Sequence, residues 1–153
     1  MSEHTATLTW SRDGAPFTDG KFSRRHLWRF DGGLEIAGSP APQVVPPPMS
    51  DPAAVDPEEA FVASLASCHM LFFLTLAAKK RFIVDGYIDE AVGELGKRAD
   101  GKTWMARVTL RPKAQFSGDK QPSPEEIAAL HTQAHDLCYI ANSVTTEVIL
   151  EPR

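Results

Sequence analysis

From Ala60 to Ala78 the chain runs for 19 residues without a formal charge, and that run restricts the folds open to it. Its start is sharply marked. Asp56 suits an N-cap, Pro57 the first helical position, and Glu59 completes a capping-box spacing. Phe61, Leu65, Cys68 and Phe72 then recur at four-, three- and four-residue steps, which places them on one helical face. Extended to Lys80, such a helix is about 36 Å long. Lys79, Lys80 and Arg81 close it with the positive charge that the helix dipole favours at a C-terminus. A helix so long and apolar needs cover on most sides. The run also approaches the length of a bilayer span. Ser64, Ser67, Cys68, His69 and Thr75 dilute its apolar character, however, and strand patterns flank it on both sides. A helix buried inside a soluble protein is therefore the expectation, with no membrane.

The flanking patterns are short and alternating. Residues 5–10 are rich in β-branched types and read as a strand, followed by a turn region over 11–21. His26–Asp31 and Leu34–Ala37 meet at Gly32-Gly33 as a hairpin. Seven prolines between Ser39 and Pro57 mark a long irregular connection, of the kind that lines a site or wraps a partner. Beyond the long helix, 82–95 and 103–116 form two strand patterns joined at Asp100-Gly101. A second helix opens at Ser123-Pro124-Glu125-Glu126, again with cap, proline and capping-box glutamate. Its apolar stripe is Ile127, Leu130, Ala134 and Leu137. Val144–Leu150 reads as a closing strand. The fold class is α+β, a single domain over 1–153, since this length fits one ordinary core and no internal repeat is visible.

Composition removes several function classes. A net charge of −4 argues against a nucleic-acid surface, which needs clustered Lys and Arg. Two cysteines are too few for a secreted disulfide scaffold, and the N-terminus lacks a basic start followed by an apolar core. Cytoplasmic residence is expected. No phosphate loop, nucleotide fingerprint or nucleophilic-serine elbow is present.

Chemistry then falls to Cys68 and Cys138, the only two cysteines. Buried cysteine often acts as a small apolar filler. Serine at 64 and 67 and histidine at 69 are poor company for a purely apolar interior, though, and a thiol becomes reactive where a nearby cation favours thiolate. Arg24, Arg25 and Arg29 are candidate cations, and Glu58 is a carboxylate able to hold one of them. Glu58 precedes Cys68 by ten residues, about 15 Å of helix, which suits an arginine lying between the two. Glu58 could equally be a plain first-turn carboxylate. His26 and Trp28 alternate on the arginine-bearing strand and share either a pocket wall or ordinary packing. His131, His135 and Cys138 stand at i, i+4 and i+7 and face one way, which leaves three readings open. They form half of a metal site completed by Cys68 or His69, a polar helix face, or a thiol placed near Cys68.

Pro57-Glu58-Glu59-Ala-Phe-Val-Ala-Ser-Leu-Ala-Ser-Cys68 resembles the first-cysteine helix of the osmotically inducible protein C and organic hydroperoxide resistance (OsmC/Ohr) superfamily. His131-x-x-x-His-Asp-Leu-Cys138 resembles its second-cysteine segment. The resemblance implies antiparallel sheets around a long buried central helix, an intertwined homodimer, and active sites at the subunit interface. It implies a cysteine-based peroxidase without a cofactor, acting on organic hydroperoxides and extending to hydrogen peroxide. Cys68 would be the attacking thiolate and Cys138 the resolving thiol, with the resulting disulfide reduced by an external dithiol. An arginine would stabilise the thiolate, with Arg25 preferred over Arg24, and Glu58 would orient it. The alternative is a metal- or small-ligand-binding dimer of the same fold, using His131, His135 and Cys138.

Overall fold

A computed structural model describes residues 2–153. The chain divides into two compact units, one through Ala60 and one over Phe61–Arg153, so the division falls inside the first turn of the long helix. The first unit holds strands β1 (Ala6–Thr9), β2 (His26–Phe30) and β3 (Glu35–Gly38) in an antiparallel sheet of that order. The β2–β3 hairpin closes at Gly33, whose φ of +84° is a conformation that glycine reaches without steric cost. After β3 the proline-rich segment runs as turns and returns to the sheet at one point, where Gly38 bridges to Val55.

Helix α1 (Pro57–Lys79) starts with the expected box. The Glu59 N–H donates to Asp56 Oδ1 at 2.7 Å, and the Asp56 N–H donates to Glu59 Oε2 at 3.2 Å. Its buried stripe differs from the expected one. Leu65, His69, Phe73 and Ala77 are buried, at strict four-residue steps, while Cys68 is only half-buried and Leu71 is 57% exposed. The residues of this chain thus cover one stripe of α1 rather than most of its circumference. Length and composition alone would let α1 cross a membrane. In this fold its buried stripe serves two apolar clusters instead.

Those clusters are built from six more elements. The pattern read as 82–95 breaks into β4 (Ile83–Asp89) and β5 (Val92–Lys97), and that read as 103–116 into β6 (Thr103–Leu110) and β7 (Pro112–Ser117). The two halves of one long hairpin therefore enter different sheets: β5 and β6 pair next to the turn, and β4 and β7 pair beyond the break. Strand β8 (Glu147–Leu150) joins β6 in parallel, an orientation that the strand pattern alone does not reveal. Helix α2 (Pro124–Leu137) has the full Ser123–Glu126 capping box.

Leu65 packs with Val108 and Leu110 against the β5–β6–β8 sheet. Phe73 and Ala77 pack with Phe82, and with Leu130 and Ala134 of α2, over the β4–β7 pair. At Gly93 of β5 an added Cβ would stand 2.5 Å from Val62 Cγ2 and 2.8 Å from Met105 Sδ, so α1 approaches this strand as closely as a glycine permits.

Phe73→Ala should lower the unfolding free energy by about 3–5 kcal/mol through lost burial and a residual cavity. Gly93→Ala should lower it by about 1–3 kcal/mol through overpacking. Urea titrations of both variants against wild type check these values.

Candidate functional site

The two thiols come from α1 and from the end of α2, both within the second unit. Cys68 sits mid-helix and half-buried; Cys138 is 1% exposed. Cys138 is not a helix-interior residue as its spacing suggests. It is the C-cap of α2, with extended backbone (φ −65°, ψ 110°) and its N–H bonded to His135 O at 3.1 Å. Leaving the helix there brings its sulfur near enough to Cys68 for the two to influence each other's titration, and the Ala141 N–H donates to Cys138 Sγ at 3.4 Å. Both cysteines are free. Burial, and then the neighbouring Cys68, push the Cys138 thiol up to about 11, so it carries its proton at neutral pH. The arrangement pairs a partly accessible sulfur with a buried neighbouring thiol that keeps its proton.

Beside the thiols lies a second cross-helix contact. His69 follows Cys68 on α1, and its Nε2 is 3.0 Å from His131 Nδ1 on α2. The rings are nearly parallel, and His131 stacks on Phe73 at 4.4 Å between centroids. Both imidazoles are 3% exposed or less. Burial first, and then the charges of His131 and His135, push His69 down to about 4; burial likewise pushes His131 down to about 4. At neutral pH both are therefore uncharged, and one donates while the other accepts.

The first unit contains a separate feature, a cavity of about 470 Å³ whose walls include Trp10, Phe17, Phe22, Arg24, His26 and Glu58. Phe17 stacks on Phe22 at 4.6 Å, and Trp10 meets Phe22 edge-on at 5.4 Å. Arg24 lies over the Phe22 ring at 4.3 Å and donates to the carbonyls of Phe22 and Gly20 at 3.1 and 3.2 Å. His26 is fixed by two contacts, with Nε2 accepting from Trp28 Nε1 at 2.6 Å and Nδ1 facing the Arg24 carbonyl at 2.9 Å. That pairing selects the tautomer protonated on Nδ1.

A family model described as OsmC-like protein matches residues 50–153, which include both thiol segments. The chain belongs to the OsmC-like family. Among solved structures, an OsmC-like protein of unknown function from Vibrio cholerae is 54% identical over all of both chains, with a TM-score of 0.98. The organic hydroperoxide resistance protein OhrB of Bacillus subtilis is 20% identical over 99% of this chain and 98% of its own, with a TM-score of 0.68. An organic hydroperoxide resistance protein from Elizabethkingia anophelis is 16% identical over 99% and 94%, with a TM-score of 0.71. The last two share the α+β fold. No curated protein matches the sequence.

In this OsmC-like protein the residues singled out from sequence separate into two groups. Cys68 and Cys138 are brought together, as are His69 and His131. Arg25 instead reaches Asp51, Nε to Oδ2 at 3.0 Å, and is more than half exposed. Glu58 shares a cavity wall with Arg24, and among the described residues no ion pair joins it to Arg24 or Arg25. The metal alternative gains nothing from the geometry. Among the described residues no three His, Cys, Asp or Glu side chains converge on a possible ion, and His131 is turned to His69. Trp10, Phe17 and Phe22 escaped the sequence reading because they lie in and beside a segment whose glycines, proline and aspartates read only as turn. Three aromatics within thirteen residues was the available signal.

Each buried imidazole takes up a proton near pH 6.5 when unfolded but only near pH 4 when folded. The unfolded chain therefore binds more protons in between, and stability is full above about pH 6.5 and falls as pH drops toward 4. The loss by pH 4.5 should be on the order of 2 kcal/mol per imidazole. Urea midpoints measured from pH 7 to 4.5 should show this slope, and a His69→Phe/His131→Phe variant should have lost most of it.

Proposed function

We propose that this OsmC-like protein is a thiol-dependent peroxidase that reduces organic hydroperoxides. The observation that carries the proposal is that a half-buried Cys68 neighbours a buried Cys138 whose thiol is pushed up by burial. In the first step the Cys68 thiolate attacks one oxygen of the peroxide. The O–O bond breaks, Cys68 becomes a sulfenic acid, and the alkoxide leaves and takes a proton to become the alcohol. In the second, Cys138 attacks the Cys68 sulfur; the S–O bond breaks, a disulfide forms, and the Cys138 proton leaves with the hydroxyl as water. Trapping the sulfenic acid in this way protects Cys68 from irreversible oxidation. An external dithiol reduces the disulfide and is itself oxidised. Attack needs a thiolate at Cys68, which is partly accessible. Resolution needs no free thiolate at rest, and at Cys138 there is none.

The proposal gives the activating arginine to Arg24 in place of Arg25. What supports Arg24 is that it lines, with Glu58, a largely apolar cavity, whereas Arg25 is engaged by Asp51. An apolar wall suits the apolar part of an organic hydroperoxide. A homodimer is part of the same proposal. It is supported by the apolar surface that the second unit leaves uncovered, where Leu71, Ile83 and Ile88 are each more than half exposed. The reaction uses no cofactor, and the cytoplasm, where dithiol reductants are abundant, is its proposed setting.

With cumene hydroperoxide and a dithiol reductant, Cys68→Ser should abolish turnover. Cys138→Ser should complete one oxidation of Cys68 and then accumulate sulfinic acid by mass. Arg24→Ala should reduce kcat/KM by about 10²-fold, the scale of a lost charged contact to a developing anion, and Arg25→Ala by far less. Wild-type protein that keeps both thiols free after one equivalent of peroxide would refute the mechanism.

A further inference from the structure

The His69–His131 contact has no part in the chemistry above, and its composition is costly for a purely structural element. Two leucines would fill the same space without polar atoms to satisfy. The imidazoles instead take two titratable groups out of water, and His69 Nδ1 remains buried with no hydrogen-bond partner among the described residues. Such a nitrogen costs free energy relative to a solvated one. A single directional bond in an otherwise apolar contact does what two leucines cannot, which is to fix one register between the elements that carry it.

The register at stake is that of the thiols. His69 and Cys68 are neighbours on α1, so their side chains leave the helix about 100° apart. On α2, His131 and Cys138 are seven residues and nearly two turns apart. Neighbouring positions on α1 thus face positions about 10 Å apart along α2 and its C-cap. Leu130 and Ala134 of α2 already pack on Phe73 and Ala77 of α1, but such apolar contacts are non-directional. The histidine bond adds a directional contact between the two helices. Stacking of His131 on Phe73 ties it to the cluster beneath.

We propose that His69 and His131 are positioning residues that hold the end of α2 in register with α1, so that Cys138 stays within reach of Cys68 for disulfide formation. This rests on the reading of the two cysteines as a reacting pair. Disulfide formation brings two sulfurs to about 2.05 Å with a restricted dihedral angle, so the geometry before reaction sets how readily it forms. The bond need not touch the peroxide, so the first oxidation of Cys68 should be indifferent to it.

The test uses two double variants of the full chain. His69→Phe/His131→Phe keeps ring volume and the stacking on Phe73 but cannot form the bond. His69→Gln/His131→Asn places amide groups near the original Nε2 and Nδ1 positions and can re-form it. Each is equilibrated with oxidised and reduced glutathione, where protein dithiol plus oxidised glutathione gives protein disulfide plus two reduced glutathiones. The equilibrium gives the effective concentration of one thiol toward the other. The Phe pair should lower that value at least about tenfold and the Gln/Asn pair should stay within about threefold of wild type, given how steeply proximity depends on placement. Equal values for the Phe pair and wild type would overturn the proposal, as would a Gln/Asn pair that falls as far as the Phe pair. If the Phe pair fails to fold, nitrogen-15 NMR of the wild type at pH 7 decides. A coupling across the His69–His131 hydrogen bond supports the brace, and its absence overturns it. Because no peroxide enters the glutathione equilibrium, a chain that ignores peroxide would refute the peroxidase reading and still report on the brace. In the peroxide reaction the Phe pair should form Cys68 sulfenic acid at the wild-type rate while its disulfide step slows by the same factor.

Discussion

The second unit depends on one stripe of α1. Leu65, His69, Phe73 and Ala77 follow at four-residue steps, and the two apolar clusters of the unit meet along that line, Leu65 in one and Phe73 and Ala77 in the other. Neither sheet is large. One has two strands and the other three, and sheets of that size need an apolar partner to persist. The helix supplies it to both. Glycine at 93 is part of the same constraint, because any larger residue would meet Val62 and Met105 and push the helix off the strand.

His69 is the polar member of that stripe, and it stands between the clusters. A buried imidazole without a counter-charge is held neutral, and the available neutral partner is another imidazole across the gap on α2. The same packing brings Cys138 near Cys68. Burial thus acts twice at one place, lowering the proton affinity of the histidines and raising that of the Cys138 thiol. The opposite shifts have one cause, since burial disfavours whichever form carries charge. At neutral pH all three groups are uncharged, which is compatible with the apolar surroundings and leaves Cys68 as the accessible sulfur.

Much of this was legible beforehand because it is local. Both capping boxes form as spaced, since the side chain and the N–H that it accepts from lie three residues apart in sequence. The hairpin at Asp100-Gly101 follows from turn chemistry in the same way. What was not legible was non-local. The stripe Phe61–Leu65–Cys68–Phe72 and the observed Leu65–His69–Phe73–Ala77 are both valid helical faces, and choosing between them depends on what packs opposite. Arg25 and Arg24 are adjacent, so no pattern distinguishes them. Asp51, 26 residues on, engages Arg25, and Phe22 with two backbone carbonyls holds Arg24.

By itself the sequence determined the elements, the two thiol segments and the resemblance to the OsmC/Ohr superfamily, because caps, turns and short motifs are written in residues a few positions apart. Only the tertiary structure decided that the long hairpin divides between two sheets, that β8 runs parallel to β6, and that α2 stops at Leu137 and brings Cys138 near Cys68. It also decided that His69 and His131 face one another. These outcomes are fixed by which side chains meet between elements distant in the chain, and that meeting depends on the packing of whole elements rather than on any local preference.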